Sequence, residues 1–136
     1  MEPIKRNRGI GLQTILNAKG ANGVGTATNV QNFKNIIIQL ATASNAALTV
    51  KIQASISAAA PDFSAAASPS NHWTYIQVVD LISNLPIIGG TGITASGTDL
   101  FQLLELDVNG IRWINMEVSS WTVGTITTKI LPLTNQ

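Results

Sequence analysis

His72 is the only histidine in this sequence of 136 residues, and it is the first side chain to weigh as a catalytic group. Serine hydrolysis needs an imidazole that takes the proton of a serine and a carboxylate that orients the imidazole. Asp62, Asp80 and many serines are present, but no G-x-S-x-G nucleophile elbow accompanies them. His72 follows the turn-forming residues SPSN and precedes Trp73, which is typical of the end of a loop. We therefore expect no catalytic site here, and we expect a protein that is not an enzyme.

Three carboxylates lie on either side of the pair Asn109-Gly110, which favours a tight type I′ hairpin turn: Glu105, Asp107 and Glu117. Such a hairpin would bring them near one another, and paired carboxylates about 5–9 Å apart can hydrolyse glycosidic bonds. The same side chains also suit an outer sheet face, where charges keep a strand edge from pairing with other chains. We favour this second interpretation.

The stretch GTGITA (90–95) satisfies the letters of the dinucleotide-binding pattern G-x-G-x-x-G/A. That pattern requires a helix to follow, so that backbone amides face the pyrophosphate. Here SGTD and another strand-like segment follow, which indicates a glycine-rich turn. Histidine, Asp and Glu do not cluster at metal-ligand spacing, and there is no cysteine for thiolate ligands or disulfides. We expect no cofactor and no metal.

Three tryptophans, Trp73, Trp113 and Trp121, are the largest apolar side chains in a chain that has one Tyr and three Phe. Exposed on a sheet face, they would stack on sugars, and the chain would then be a carbohydrate-binding module. Packing in the core or at a subunit interface is the interpretation we favour, because large aromatic rings dominate cores and interfaces.

Charge is sparse in this sequence. Charged residues make up 11% of the chain, against about a quarter in an ordinary soluble domain, while 45% of residues are hydrophobic. This composition excludes highly charged disorder. The length suits one domain with its own core. A surface with so few charges is covered by Thr, Ser, Asn and Gln or by partner proteins.

The formal net charge of +1 is distributed unevenly. Four bases face one acid in residues 1–30, and four bases face six acids from residue 31 onward. We expect no nucleic-acid platform, and at most weak phosphate contact by Lys5, Arg6 and Arg8. No apolar run approaches the roughly 20 residues of a membrane-spanning helix, and the basic N-terminus is not followed by an apolar signal core.

Residues 1–28 read as an extended N-terminal arm, because glycines interrupt any useful helix, with one short turn near 13–18. Its apolar residues are isolated and predict an assembly interface with another subunit: Ile4, Ile10, Leu12, Ile15 and Leu16. Each of them would contribute roughly 1.5–3 kcal/mol when buried. A frayed terminus is the alternative.

Residues 29–136 read as a single β-sandwich domain. In LTVKIQASIS (48–57) apolar and polar residues alternate, with Leu48, Val50, Ile52, Ala54 and Ile56 on one face, which indicates a half-buried antiparallel strand. NIIIQLA (35–41) reads as a strand covered on both sides, and the Ala-rich piece 57–71 as a long connection broken by prolines. Short strands separated by turns predict an all-β fold, an antiparallel, jelly-roll-like sandwich.

The sequence resembles a group of small proteins from tailed bacteriophages in four segments: PDFSAAASPSNHWTYIQVVDL, GGTGITASGTD, VNGIRWINMEVSS and GTITTKI. A Pro-Asp-Phe loop, an Asn-x-Trp strand start, an Asp-Leu strand end and a Gly-Thr-Ile-Thr closing strand recur in that group. The resemblance covers residues 32–136.

This resemblance implies a structural protein of the virion, located in the capsid or the tail. A capsid decoration (cement) protein is the leading hypothesis, forming a homo-oligomer, with a trimer favoured, and contacting other virion proteins such as the major capsid protein. A collar, neck or tail protein is the alternative within the same class, and the carbohydrate-binding module is the alternative of another class.

Overall fold

The computed structural model describes residues 11–97 and 100–133. These residues form ten β-strands and no helix. The strands are β1 (Gln13–Lys19), β2 (Gly23–Val24), β3 (Thr28–Asn29), β4 (Asn35–Ser55), β5 (Thr74–Ile76), β6 (Val78–Asp80), β7 (Leu85–Ile87), β8 (Ile93–Gly97), β9 (Phe101–Asp107) and β10 (Trp113–Leu133). Every pairing between them is antiparallel. In the part of the chain so described, nothing qualifies as a membrane-spanning helix.

The two longest strands, β4 and β10, have 21 residues each and pair from end to end, from Trp113 opposite Ser55 to Leu133 opposite Asn35. Both strands bend near their middle. In β4 the bend falls where Ser44 and Asn45 have positive φ angles of 61° and 57°. In β10 the register shifts between residues 119 and 125. We call this pair the spine.

Gly124 explains why the spine bends where it does. Its φ is +84°, in the left-handed region that favours glycine. A Cβ atom at this position would lie 2.5 Å from the Cα of Ala46 and 2.8 Å from the carbonyl oxygen of Ala43. The bend of β10 therefore presses its backbone directly against the bend of β4.

The bend divides the sheet into two halves. The first half contains β1, residues 125–133 of β10, residues 35–43 of β4, β9, β6 and β7, in that order. The second half contains β2 and β3 beside residues 113–119 of β10, then residues 47–55 of β4 with β8 and β5. The spine strands thus belong to both halves.

One hydrophobic cluster joins the inner faces of the two halves. It contains Ile36, Ile38, Leu40, Leu104, Leu106, Ile126 and Ile130 from the first half, and Leu48, Val50, Ile52, Ala95, Ile114, Met116 and Val118 from the second half. Within each strand these residues alternate with outward ones, so the two halves face each other across a shared core. The prediction of an all-β antiparallel sandwich is confirmed.

The sequence predicts that residues 35–41 of β4 are covered on both faces and that residues 48–57 are covered on one face, and the structure shows the opposite. The apolar run NIIIQLA has buried side chains only at alternate positions, and Ile37 is half-buried on the outer face. The alternating run after it ends in four consecutive buried residues, Ile52 to Ser55, while Ile56 is exposed. The prediction of a doubly covered strand at 35–41 is wrong, because the outward side chains of this run are only half-buried by the described residues.

The predicted hairpin at Asn109-Gly110 does not pair β9 with β10. A turn is present, in which the Ile111 amide donates to the Val108 carbonyl oxygen (2.9 Å). Of the two central residues only Gly110 has a positive φ (+88°), which fits a type II turn rather than type I′. Both strands instead pair with β4, on its opposite edges.

The predicted arm 1–28 is part of the sheet from Gln13 onward. β1 pairs with β10 with two register irregularities, and β2 and β3 pair with the other end of β10. The predicted turn near 13–18 is wrong, because β1 occupies it. The start of the arm, residues 1–10, lies outside the described residues.

Candidate functional site

The five predicted arm residues have different positions. Ile15 and Leu16 are buried in the core of their own chain (3% and 1% exposed), so they are not available to another subunit. Leu12 is exposed. Ile4 and Ile10 lie outside the described residues. The interface prediction is corrected for Ile15 and Leu16, because β1 pairs with β10 and carries both side chains inward.

The residues weighed for catalysis do not converge. His72 is exposed. Asp62 accepts hydrogen bonds from the amide and hydroxyl of Ser64, and the hydroxyl bond comes first among the causes that lower the pKa of Asp62. Asp80 accepts from the Ile82 amide (2.9 Å). Each aspartate stabilises the turn that follows it, as Asp side chains commonly do.

The three carboxylates Glu105, Asp107 and Glu117 are not a catalytic pair. Glu105 and Asp107 lie on β9 in the first half, whereas Glu117 lies in the second half, opposite Lys51 of β4. Glu105 accepts from the Asn35 side-chain amide (3.4 Å), and Asp107 accepts from the Asn109 amide (3.0 Å). The hairpin that would bring them together does not form.

The glycine-rich stretch 90–95 is a turn followed by β8, without a helix N-terminus that could face a pyrophosphate. Over residues 11–97 and 100–133, no three His, Asp or Glu side chains come together as a metal site would require.

None of the tryptophans belongs to the buried core, so of the two kinds of packing predicted for them, in the core or at a subunit interface, the first is not observed. Trp121 is exposed, and its Nε1 donates to the Gly124 carbonyl oxygen (2.8 Å), across the bend of β10. Trp113 is half-buried, and its Nε1 has no hydrogen-bond partner among the described residues. A role for these rings at an interface or in sugar binding stays a prediction.

An aromatic cluster covers the outer face of the second half. The ring of Trp73 lies between Phe63 (6.3 Å between centroids, tilted) and Tyr75 (5.0 Å, edge-on). One hydrogen bond lies within the connection 56–73, and a second attaches the connection to this face. The Trp73 Nε1 donates to the Ala65 carbonyl oxygen (3.0 Å), and the buried Gln53 Nε2 donates to the Phe63 carbonyl oxygen (2.9 Å). The connection therefore forms a third layer over β4.

Tyr75 links this cluster to the spine. Its hydroxyl donates to a Glu117 carboxylate oxygen (2.8 Å), and the Lys51 Nζ lies 5.0 Å from the centre of the ring. Burial, together with the hydrogen bond and the negative charge of Glu117, raises the pKa of Tyr75 to about 12. The arrangement is a neutral phenol held between a cation and a carboxylate, which fixes β5 against β4 and β10.

The outer face of the first half carries exposed apolar side chains instead. We call four of them the β6–β9 apolar surface: Leu81, Ile82, Phe101 and Leu103, which are 41–80% exposed. Phe101 and Leu103 are two residues apart on β9 and point to the same side. The Leu81 amide donates to the Leu103 carbonyl oxygen (3.2 Å), which brings the β6–β7 turn beside β9. The surface therefore combines side chains of β9 with those of the turn that lies beside it.

Two adjacent depressions lie at the end of the sandwich where β9 leads into β10. The larger, about 470 Å³, is mostly apolar, and Ile56, Trp73, Ile76 and Ile111 are among its lining residues. The smaller, about 290 Å³, is lined by Glu105 and Asp107 and shares Ile76 and Ile111 with the larger one. We call the two together the end groove.

Sequence reasoning missed the β6–β9 apolar surface and the end groove. A signal for the former existed, because Phe101 and Leu103 alternate with Gln102, Leu104 and Leu106 in the sequence. Both faces of β9 are thus partly apolar, and the pattern alone does not tell which face stays open. The end groove had no signal, because its residues come from separate segments.

Comparison with known proteins gives a fold and no family. No family model matches this chain, and no curated protein matches it. The chain is similar to the crystal structure of the SPBc2 prophage-derived protein YomS, with a TM-score of 0.62 and 15% sequence identity. The similarity covers 89% of this chain and 90% of that chain. The two proteins therefore share a fold over nearly their whole length.

Proposed function

We propose that this chain is a structural protein of a tailed-bacteriophage particle, and specifically a capsid decoration (cement) protein. In this proposal it assembles with copies of itself, as a trimer, and with the major capsid protein, and it carries out no chemistry. The observation that carries the proposal is the β6–β9 apolar surface.

The physical argument rests on the cost of leaving this surface in water. Burying one Leu, Ile or Phe side chain contributes roughly 1.5–3 kcal/mol, and the β6–β9 apolar surface has four such side chains. Monomeric proteins rarely expose large contiguous apolar patches, and such patches mark interaction sites. A partner that covers the β6–β9 apolar surface therefore gains a large part of the free energy that association requires.

Two further observations support a role in a particle. A protein with the same fold comes from a prophage. The low charge of the chain also suits a surface that is in contact with neighbouring proteins, because charged residues are depleted at the centres of interfaces. In a repeating shell, weak contacts add up, since each copy touches several others at once.

The test is a pair of substitutions that make the surface polar without touching the core. The double variant Phe101→Ser, Leu103→Ser is expected to keep the fold, since both side chains are exposed, and to lose self-association in sedimentation experiments. The matched control is Val123→Ser, which replaces an exposed apolar residue outside the surface and should leave the mass of the oligomer unchanged. An equal loss in both variants, or a wild-type chain that stays monomeric at every concentration, would contradict the proposal.

Two measurements place the oligomer. Its mass separates a trimer from the rings of six or twelve expected of a collar, neck or tail protein. Immunogold labelling of phage particles with an antibody to this chain locates it on head, collar or tail. Gold on the head supports decoration, gold on the collar or tail supports the alternative, and unlabelled particles would overturn both.

A further inference from the structure

We propose that the end groove binds the leading segment, residues 1–10, of a second copy of this chain. This inference rests on the proposed function, because it names a contact that would join neighbouring copies. The groove and the segment are complementary in three respects: charge, spacing and position in the fold.

The charges are opposite. The end groove is lined by the carboxylates of Glu105 and Asp107, and no Lys or Arg is among the residues that line its two depressions in the described part of the chain. Residues 1–10 contain three bases, Lys5, Arg6 and Arg8, against one acid, which gives a net charge of +2. Arginine is also the side chain that pairs most favourably with carboxylates, since its guanidinium binds both oxygens.

The spacing also matches. Glu105 and Asp107 are two residues apart on β9, so their side chains leave the same face about 6.6 Å apart. Arg6 and Arg8 have the same separation in sequence and, in an extended segment, the same distance. Ile4 and Ile10 continue this period of two on either side. An extended segment thus presents Ile, Arg, Arg and Ile in a row.

The groove offers the same order of chemistry. Beyond Asp107 the chain turns to Ile111, which together with Ile76 forms the wall shared by the acidic and the apolar depression. When the two arginines pair with the two carboxylates, an isoleucine at the end of the row reaches the apolar depression beside Ile56 and Trp73. A mostly apolar lining favours an aliphatic side chain over a sugar, whose hydroxyls would find few partners.

The position of β1 makes the contact reachable. Gln13 lies opposite Ile130, and the chain before it runs toward the end of β10 at Leu133, which is the end where Asn35 pairs with Asp107. Ten extended residues span at most about 33–36 Å. That length reaches beyond the chain's own end of the sandwich to a neighbour.

The test uses charge reversal in the full chain, with self-association measured by sedimentation. Arg6→Glu, Arg8→Glu should weaken association at least about fivefold, and so should Glu105→Lys, Asp107→Lys, because each replaces attraction by repulsion. The matched control for the segment is Lys19→Glu, Lys129→Glu, which changes the net charge equally on β1 and β10 and should have a smaller effect.

Mixing the two reversed variants is the decisive step. The wild-type segment of one then meets the wild-type groove of the other, so association should return only in the mixture. A mixture that associates no better than its components would overturn the inference. The inference would also be overturned if association recovered only in a chain that carries both reversals, independent of concentration. The segment would then bind the groove of its own chain.

A second measurement avoids any loss of folding in the charge variants. Because the chain has no cysteine, single cysteines can trap the contact: Ile10→Cys or Ile4→Cys on one copy and Ile56→Cys on the other. Under mild oxidation with copper phenanthroline, a disulfide-linked pair should form about tenfold more than with Val123→Cys in place of Ile56→Cys. Equal yields, or loss of the linked pair on adding an oligosaccharide, would overturn the inference. The proposed function is tested separately, by the double variant Phe101→Ser, Leu103→Ser described above.

Discussion

The outer faces of the two sheet halves differ in what covers them. Over the second half, the connection 56–73 folds back and buries Phe63 against β4, attached by the bond from Gln53. Over the first half, nothing in the described chain covers Phe101 and Leu103. The same two spine strands supply both halves, so the difference comes from the connections. A long connection gives one face a cover of its own, and the other face stays open in the part of the chain that the structure describes.

The largest expected effect separates two phenylalanines. Phe63→Ala should lower the free energy of unfolding by about 3–5 kcal/mol, as truncation of a buried Phe does. Phe101→Ala should change it by less than about 0.5 kcal/mol, because that ring is exposed. Urea denaturation at low protein concentration, where association does not contribute, measures both. Similar losses in the two variants would remove the distinction between covered and open faces.

The second prediction concerns the bend that creates the two halves. Gly124→Ala and Gly110→Ala both place a side chain at a positive φ, and each should cost about 1 kcal/mol or more for that reason. Only at Gly124 does the new Cβ meet backbone atoms, those of Ala43 and Ala46. Gly124→Ala should therefore be the more destabilising by roughly 1–3 kcal/mol in thermal unfolding. Equal shifts in Tm would mean that the bend tolerates the extra atom.

A smaller effect is expected within the cover itself. The Asn71 side chain accepts from the Asp62 amide (2.8 Å) and donates to the carbonyl oxygens of Asp62 (2.8 Å) and Ala66 (3.2 Å). Asn71→Ala should cost about 1–2 kcal/mol and speed amide hydrogen exchange within 57–73. The control Ser70→Ala removes only a long contact with Ser68 and should be nearly neutral. Unchanged exchange in Asn71→Ala would show that aromatic packing alone holds the connection.

The smallest effect concerns Tyr75 and is expected only at alkaline pH. The pKa of Tyr75 is raised to about 12, so the folded chain keeps its phenol proton at pH values where the unfolded chain, with a pKa near 10, has lost it. The contribution of Tyr75 is therefore fully present below pH 10 and is lost as the pH rises toward 12. Tyr75→Phe should lack this loss. Since Tyr75 is the only tyrosine, ultraviolet absorbance titrates it directly, and Glu117→Gln should lower its pKa.

The fold class was predictable because the alternation of apolar and polar residues in the sequence reappears as alternating burial along the strands. Alternation from Leu48 to Ile52 shows as alternating burial in the strand, and the closing strand contributes Ile126 and Ile130 to the core. β1 was not predictable, because its register with β10 is irregular and both Ile15 and Leu16, adjacent in sequence, point inward. A period of two is absent from such a strand.

The candidate sites were less predictable than the fold. The turn at Gly110 follows from local chemistry, but the choice of β4 as the partner of both flanking strands depends on the assembled sheet. Likewise, whether Ile37 or Gln53 lies under a cover depends on where the connection 56–73 folds. In the β6–β9 apolar surface, the alternation of Phe101 and Leu103 is visible in the sequence, but no spacing links them to the turn residues Leu81 and Ile82.

The spine has a mechanical consequence. Its two strands run antiparallel and stay in register over most of their lengths, from Trp113 to Leu133. A force that pulls one strand lengthwise past the other acts as shear on the paired strands. Many hydrogen bonds between the strands must then break at the same time rather than one after another. Because both halves of the sheet contain the same two strands, neither half can separate without the other. Such a body is suited to resist a force applied along its longest strands.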